Sequence, residues 1–598
     1  MEFETLSNEI SGLIDQEEFE KALDIIDTQL HQDKYKQLQM PTHTQFEHWQ
    51  QKWQLLLHKC TILEIKGKFT HVLSLADEII EESKKLKDLA KKIHLAGLLA
   101  KIFPLFFLGR INENFQVINE ALQLLDTLEG LSSANYERNK SFIVLARGLN
   151  TLYTSKFDQG LNDLKVSLNV LQQSSSEERL IGLGLLFKGM YFSEMGKYSR
   201  ALDLLKVSSN YNKQRGLNYN YVLNLGHIAN TCCEKGDLNR AKEYGEKALT
   251  LAKTKDNLFI LGYIQRTLGR IFITSGDLQK AEEMFCEARK NWDLTETLHV
   301  YFPIAWLGLI YRMKGELDKA IESVIRGLKT IQQMGYKNAE GWALDYLGDL
   351  YREKGDILEA LNYLNKALIV RVELDNKVDI ARTLFNLFIL TIDHKVLDEA
   401  KKYLDRLKHL NEELNIQIIN DRTKLAEALM LMQSRNLLHI GHAQQKLVEL
   451  TTTPNVEVSI LILALLNLFD LLIIEWKATE DSGTLEDIHL LLKKLKNIAE
   501  DQKILPLAIE NRILLANILL IEGKINQALI VLNEANEMAQ RKKLSILVEK
   551  TSRFQKKLTQ QIKEWQDLLA INASIAKRVE YSELLDYIKL AKQITSTY

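Results

Sequence analysis

The stretch GWALDYLGDLYREKGDILEALNYLNKA, residues 341–367, decides the fold. Leu344, Leu347, Gly348 and Tyr351 recur at three- and four-residue spacing, as one face of a helix requires. Gly355-Asp356 breaks the pattern, and Leu358, Leu361, Leu364 and Leu368 resume it. The reading is helix, tight turn, helix. Gly348, Ala360 and Ala367 are small where two helix axes should approach, because a bulky side chain there would hold them apart. Ala360 is therefore expected at a close approach and Glu353 in solvent.

The same turn returns at Gly196, Gly236, Gly276 and Gly315, each followed five residues on by alanine: Ala201, Ala241, Ala281 and Ala320. Extending the alignment gives recurrences near residues 17, 67, 109, 155, 395, 436, 483 and 523, about thirteen units in all. The central intervals are 39 to 41 residues; toward the ends they lengthen, and Glu17, Ser155, Lys395 or Asn436 stands for the glycine. Gly216, Asp256-Asn257, Gly335 and Asp375-Asn376 recur in phase as stops between units. Self-similarity at such a period predicts an all-α, right-handed superhelical α-solenoid with a C-terminal helical cap, one thin core running along one architectural unit. The expected division is 1–135 divergent N-terminal repeats, 136–450 a central array, 451–545 divergent C-terminal repeats and 546–598 capping helices.

Leu347-Gly348, Tyr351, Gly355, Ala360, Leu364 and Ala367 stand at the spacings of the tetratricopeptide repeat (TPR). So do Leu307-Gly308, Tyr311, Gly315, Ala320 and Val324, and Leu268-Gly269, Phe272, Gly276, Ala281, Phe285 and Ala288. The unit resembles the extended, roughly forty-residue variety found in Pins-like polarity adaptors, kinesin light chains, MalT-type regulators and bacterial Rap proteins. That resemblance implies a scaffold or adaptor that binds a peptide or helix of a partner protein in a concave groove lined by the first helix of each pair. The alternative it implies is a MalT- or Rap-like sensor whose solenoid changes curvature on binding a ligand or peptide.

Composition fits a large helical protein: 598 residues, 46% hydrophobic, 5 prolines. Lys plus Arg (77) and Asp plus Glu (79) nearly cancel, so no global field favours nucleic acid or an anionic membrane. Four scattered cysteines suit a reducing compartment, and the acidic start lacks the basic, apolar pattern of a secretion signal, so a cytoplasmic protein is expected. Val458 to Ile474 is the most apolar segment. It falls just short of a span and contains Asn467 and Asp470, so it reads as a buried helix rather than a membrane insertion. Phosphate-loop, zinc-helix and nucleophile-turn motifs are absent, and the chain reads as an interaction protein needing no cofactor or metal rather than as an enzyme.

By the family's pattern the groove should be lined by Asn230, Arg266, Arg270, Arg312, Trp342, Asp345, Asp349 and Arg352. Arginine forks grip carboxylates with two bonds, so an acidic partner segment is expected; the competing reading is that these charges pair with each other, Asp349 with Arg352 for instance. Toward the N-terminus the inner positions turn apolar, at Phe103, Phe106, Phe107, Phe142, Leu145, Leu149, Leu152, Leu183, Leu186 and Met190. Either the superhelix closes on itself there or an amphipathic helix covers them. Pro104 should kink or end its helix. Phe554, Leu558, Ile562, Trp565 and Leu569 form a stripe on one long helix, a cap or the seam of a homodimer.

Overall fold

The computed structural model describes residues 2–32, 43–84, 91–152, 157–173, 178–275, 277–314, 316–374, 377–414, 416–434, 436–454, 456–501, 504–541 and 545–595. Every regular element among them is helical, arranged as successive helix-turn-helix pairs. Ser155, Gly276, Gly315 and Asp375-Asn376 lie outside the described residues.

At the turn of the quoted repeat, helix Lys337–Lys354 ends with Gly355 at φ 85°, and the Asp356 amide donates to the Tyr351 carbonyl at 2.9 Å. Glycine meets that left-handed conformation without a Cβ penalty. The same bond to the carbonyl five residues back recurs from Glu18, Lys68, Arg110, Lys197, Asp237, Val396 and Lys524. Glu17 and Lys395 hold φ values of 58° and 60°, so the geometry of the turn persists where its glycine is gone. One aligned position is corrected. Gly483 lies inside helix Ser482–Asp501, and Glu480, at φ 52°, makes the left-handed turn three residues earlier.

Within the repeat, a Cβ added at Gly348 would meet Leu364 Cγ at 2.6 Å, and Ala360 is 0% exposed. The buried face of the second helix is Ala360, Leu364, Ala367 and Leu368. Leu358, read from its spacing as part of that face, is 81% exposed. Glu353 is not simply solvated either, since its carboxylate accepts from Arg312 Nε at 2.5 Å. Ala360→Leu should therefore cost about 1–3 kcal/mol through overpacking, while Leu358→Ala stays within about 0.5 kcal/mol. Chemical denaturation of both variants checks this, and equal midpoints would remove the close approach at Ala360.

The chain forms two compact units, Met1–Ile271 with Ala281–Ile304 and Lys329–Lys337, and Phe272–Lys280 with Ala305–Leu328 and Asn338–Tyr598. In the first, the stack coils back on itself. Asn257 Nδ2 donates to the Ile65 carbonyl at 2.7 Å and Thr297 Oγ1 to the Phe107 carbonyl at 2.8 Å, partners 192 and 190 residues apart. Lys255 reaches Glu17 at 2.7 Å and Lys66 reaches Asp256 at 3.1 Å along the same seam. Asn257, expected only as a helix stop, thus also fastens two coils. Helix Lys91–Leu108 runs through Pro104 rather than ending there.

In the second unit, helix Val458–Thr479 extends beyond its apolar run to 22 residues, long and apolar enough to cross a membrane; 67% of its most apolar window is buried against neighbouring helices. The expected long C-terminal helix is two, Ser545–Gln560 and Ile562–Ala570. Leu558 and Trp565 of its stripe are buried inside the unit, so the stripe is not an open dimer seam.

Candidate functional site

Closure of the first unit forms a partly open cavity of about 150 Å³. Alternate first helices turn phenyl rings into it: Phe106 and Phe107 from Lys91–Leu108, Phe187 from Glu178–Glu194 and Phe259 from Leu258–Thr274. The rings meet mostly edge to face, Phe106 on Phe187 at 5.4 Å and Phe107 on Phe259 at 5.3 Å between centroids. Trp292 completes this wall, its indole donating to the Phe259 carbonyl at 2.9 Å. Met190 also lines the cavity. Phe103 and Leu149 are buried behind it, and Phe142 packs edge-on against Phe103 at 5.3 Å.

The polar groups of the cavity are few and come mainly from two adjacent first helices. Asn218–Glu234 supplies His227 and Asn230; Leu258–Thr274 supplies Tyr263 and Arg266. Arg266 lies over two rings, its guanidinium carbon 5.0 Å from the centre of Tyr263 and 4.8 Å from that of Phe302. Its Nε is buried without a hydrogen-bond partner, and no carboxylate lies within ion-pair distance of it among the described residues. Burial pushes its pKa below the usual guanidinium value. His227 Nδ1 lies 2.8 Å from Tyr263 Oη. Burial, with Arg266 as the second cause, pushes the His227 and His299 imidazoles down to about 3, so both are neutral near pH 7. The wall therefore combines apolar rings, neutral donors and acceptors, the Glu194 carboxylate, and a cation whose Nε has no partner.

The other charges expected in a groove are engaged elsewhere. Arg270 donates to Asn230 Oδ1 at 2.6 Å and pairs with Glu234. In the second unit Arg312 is buried on Glu353 and over the Tyr346 ring, and Trp342 stacks on that ring at 5.5 Å. Asp345 pairs with Arg371 at 2.5 Å, and Asp349 lies 3.7 Å from Arg352. A row of open basic residues is thus replaced by pairs, between neighbouring repeats at Arg270 and Arg312 and within one repeat at Arg371 and Arg352. The period that stacks the helices also stacks their partners: Asn230 and Arg270 are 40 residues apart, Arg312 and Glu353 are 41. Complementary side chains one period apart were a legible signal that the one-repeat reading passed over.

With this geometry in place, comparison of the sequence with known families finds the MalT-like TPR region over residues 227–547, more than half of the chain. The chain belongs to the MalT-like TPR family. The MalT-like TPR match starts at His227 on the cavity wall, so it takes in Arg266, Trp292 and His299 but not Phe106, Phe107 or Met190. Similar folds occur in a Rap protein crystallised with competence and sporulation factor (15% identity, 62% of this chain and 99% of that one, TM-score 0.45). Others are a STAND protein with a tetratricopeptide repeat sensor from Pyrococcus horikoshii (13%, 70% and 70%, 0.41) and the apo quorum sensor NprR from B. thuringiensis (17%, 59% and 97%, 0.38). Comparison with curated proteins finds no match.

Sequence reasoning missed His227, Phe259, Trp292, His299, Phe302 and Tyr336 as cavity residues. His227 was within reach, because it stands one 40-residue period after Phe187 in the same inner register. Trp292 and Tyr336 were not. They sit on a second helix and in the turn after another, and only closure of the coil turns them inward.

Proposed function

We propose that this MalT-like TPR chain is a binding module whose first unit receives a peptide segment or small amphipathic ligand in its aromatic cavity, an acidic group of the ligand meeting Arg266. The observation that carries this reading is the Arg266 guanidinium, desolvated against two rings with no carboxylate at ion-pair distance among the described residues; Glu194, which also lines the cavity, acts on it only from farther away. A buried cation is costly until a carboxylate supplies charge and paired hydrogen bonds. Aromatic walls supply the apolar contact and the neutral histidines and Asn230 the orientation. The sensor reading has its own support. Phe107 gives its ring to the cavity and its carbonyl to the Thr297 seam, so an occupant touches the fastening of the coil.

The test uses Trp292, which lines the cavity and is buried. A panel of short peptides with free or amidated C-termini and with acidic or neutral side chains is titrated against its fluorescence. Carboxylate-bearing, apolar peptides should bind the native chain, and Arg266→Gln should weaken them roughly tenfold to a hundredfold, about 1.5–3 kcal/mol for a hydrogen bond to a charged group. Equal binding of carboxylate and neutral peptides, or none by either, defeats the proposal.

A further inference from the structure

The second unit contains a groove of a different kind, already filled. Helices Val458–Thr479 and Leu505–Ile521, the first helices of two successive repeats, both pack against the last helix of the chain, Leu584–Thr595. Leu584, Ile588 and Ala591 form its buried face at i, i+4 and i+7. Leu585 and Tyr587 pack beside this face, Tyr587 against the Phe554 ring at 6.2 Å, and polar pairs add to the docking. Lys592 Nζ pairs with Asp470 at 2.7 Å, the acid that interrupts the apolar run of Val458–Thr479. Tyr587 Oη donates to Glu510, a carboxylate buried on Leu505–Ile521, and Lys550 reaches the other oxygen of Glu510 at 2.7 Å. The helix is joined to the preceding one, Ile575–Ser582, through Glu583, a non-glycine residue at φ 55°.

We propose that this groove is a helix-receiving site, and that Leu584–Thr595 is its exchangeable internal occupant, displaced by an amphipathic helix of a partner protein. The partner helix carries an apolar i, i+4, i+7 face, a hydroxyl or amine donor placed for Glu510 and a lysine or arginine placed for Asp470. A permanent cap gains nothing from acids set into an apolar wall, since well-packed hydrophobic residues serve stability as well as or better than buried ion pairs; charges of this kind fix register and partner choice. The two acids lie on the receiving helices and the basic and hydroxyl groups on the occupant. Charge complementarity therefore selects the helix that enters, and the hinge at Glu583 lets it leave.

The experiment uses the full chain and a fluorescent peptide of residues 583–595. In the double variant Ile588→Asp/Lys592→Glu the chain's own helix is undocked, so the peptide should bind it at least thirtyfold more tightly than it binds the native chain, where the internal helix competes. A peptide carrying Ile588→Asp should not bind. The chain variant Asp470→Lys should lose the peptide and regain it when the peptide carries Lys592→Asp. Hydrogen exchange on the same samples separates exchange from misfolding: amides of 584–595 should lose protection in the double variant while those of 458–479 and 505–521 keep theirs. Equal affinity of native chain and double variant, no binding to either, or collapse of protection across 458–521 would each overturn the proposal. So would a concentration-dependent doubling of mass in the native chain that disappears in the double variant, because the occupant would then be a second copy.

Discussion

Replacing Arg371 by methionine is expected to lower the stability of the second unit by about 3–5 kcal/mol, the cost of leaving a buried charge without its partner. Arg371 is 3% exposed and Asp345 6%. Besides Arg371, Asp345 accepts from Thr383 Oγ1 at 3.1 Å, which cannot neutralise it. Burial already raises the Asp345 carboxyl to about 6 against the pull of Arg371. A raised carboxyl stabilises the folded state at low pH and loses that contribution as pH rises through the folded value. The deficit of Arg371→Met relative to the native chain should therefore shrink as pH falls from 7 to 5, where Asp345 takes up a proton. Asp345→Leu/Arg371→Met should recover most of the loss. Urea denaturation of the three variants at both pH values checks the cycle, and a single-variant loss below about 1 kcal/mol would show that water reaches the pair.

Acidification acts on the first unit with the opposite sign. His299 is 6% exposed and its imidazole lies at about 3 in the fold. A lowered histidine contributes stability above its unfolded value of about 6.5 and loses it as pH falls toward 3; between pH 7 and 5 this amounts to roughly 2 kcal/mol. His227, partly buried on the same cavity, adds in the same sense. Arg266, beside both, keeps its charge and disfavours theirs. Glu194, which lines the same cavity and is raised by desolvation and then by Glu234, works the other way and offsets part of this. The net expectation is an acid-labile first unit. His299→Asn should flatten the pH dependence measured by hydrogen exchange in helix Leu258–Thr274, and an unchanged slope would remove His299 as its source.

The period of the repeat made the helices and most turns readable, because the constraint at Gly355 or Gly348 is local: a left-handed residue, a close approach. What lay beyond reach depends on partners distant in sequence. Glu353 and Asp345 look like lone charges on their own helices; Glu353 is a partner of buried Arg312 from the neighbouring repeat, and Asp345 is buried against Arg371 from the second helix of its own repeat. Leu358 shows the converse, an apolar residue at a plausible spacing that the packing leaves outside. For the cavity, Phe106, Phe107, Met190, Asn230 and Arg266 were in view from the inner-face register, but divided between an apolar stretch and a basic one. Coiling of the first unit merges the two. No local pattern encodes that closure, whose fastenings are single residues such as Asn257 and Thr297.

Those fastenings also bear on how the chain is made. Repeats that need only their neighbours can settle as they leave the ribosome, but the carbonyl of Ile65 waits for Asn257, 192 residues later. At ordinary synthesis rates that delay is roughly 10–40 s. During it the Phe107 ring, whose partner Phe259 lies beyond Asn257, stays uncovered, an adhesive patch on a nascent chain. The emerging N-terminal third should therefore depend on holding chaperones far more than the second half does, and ribosome-bound fragments ending before Asn257 should be markedly more prone to aggregate than fragments extended past Tyr336.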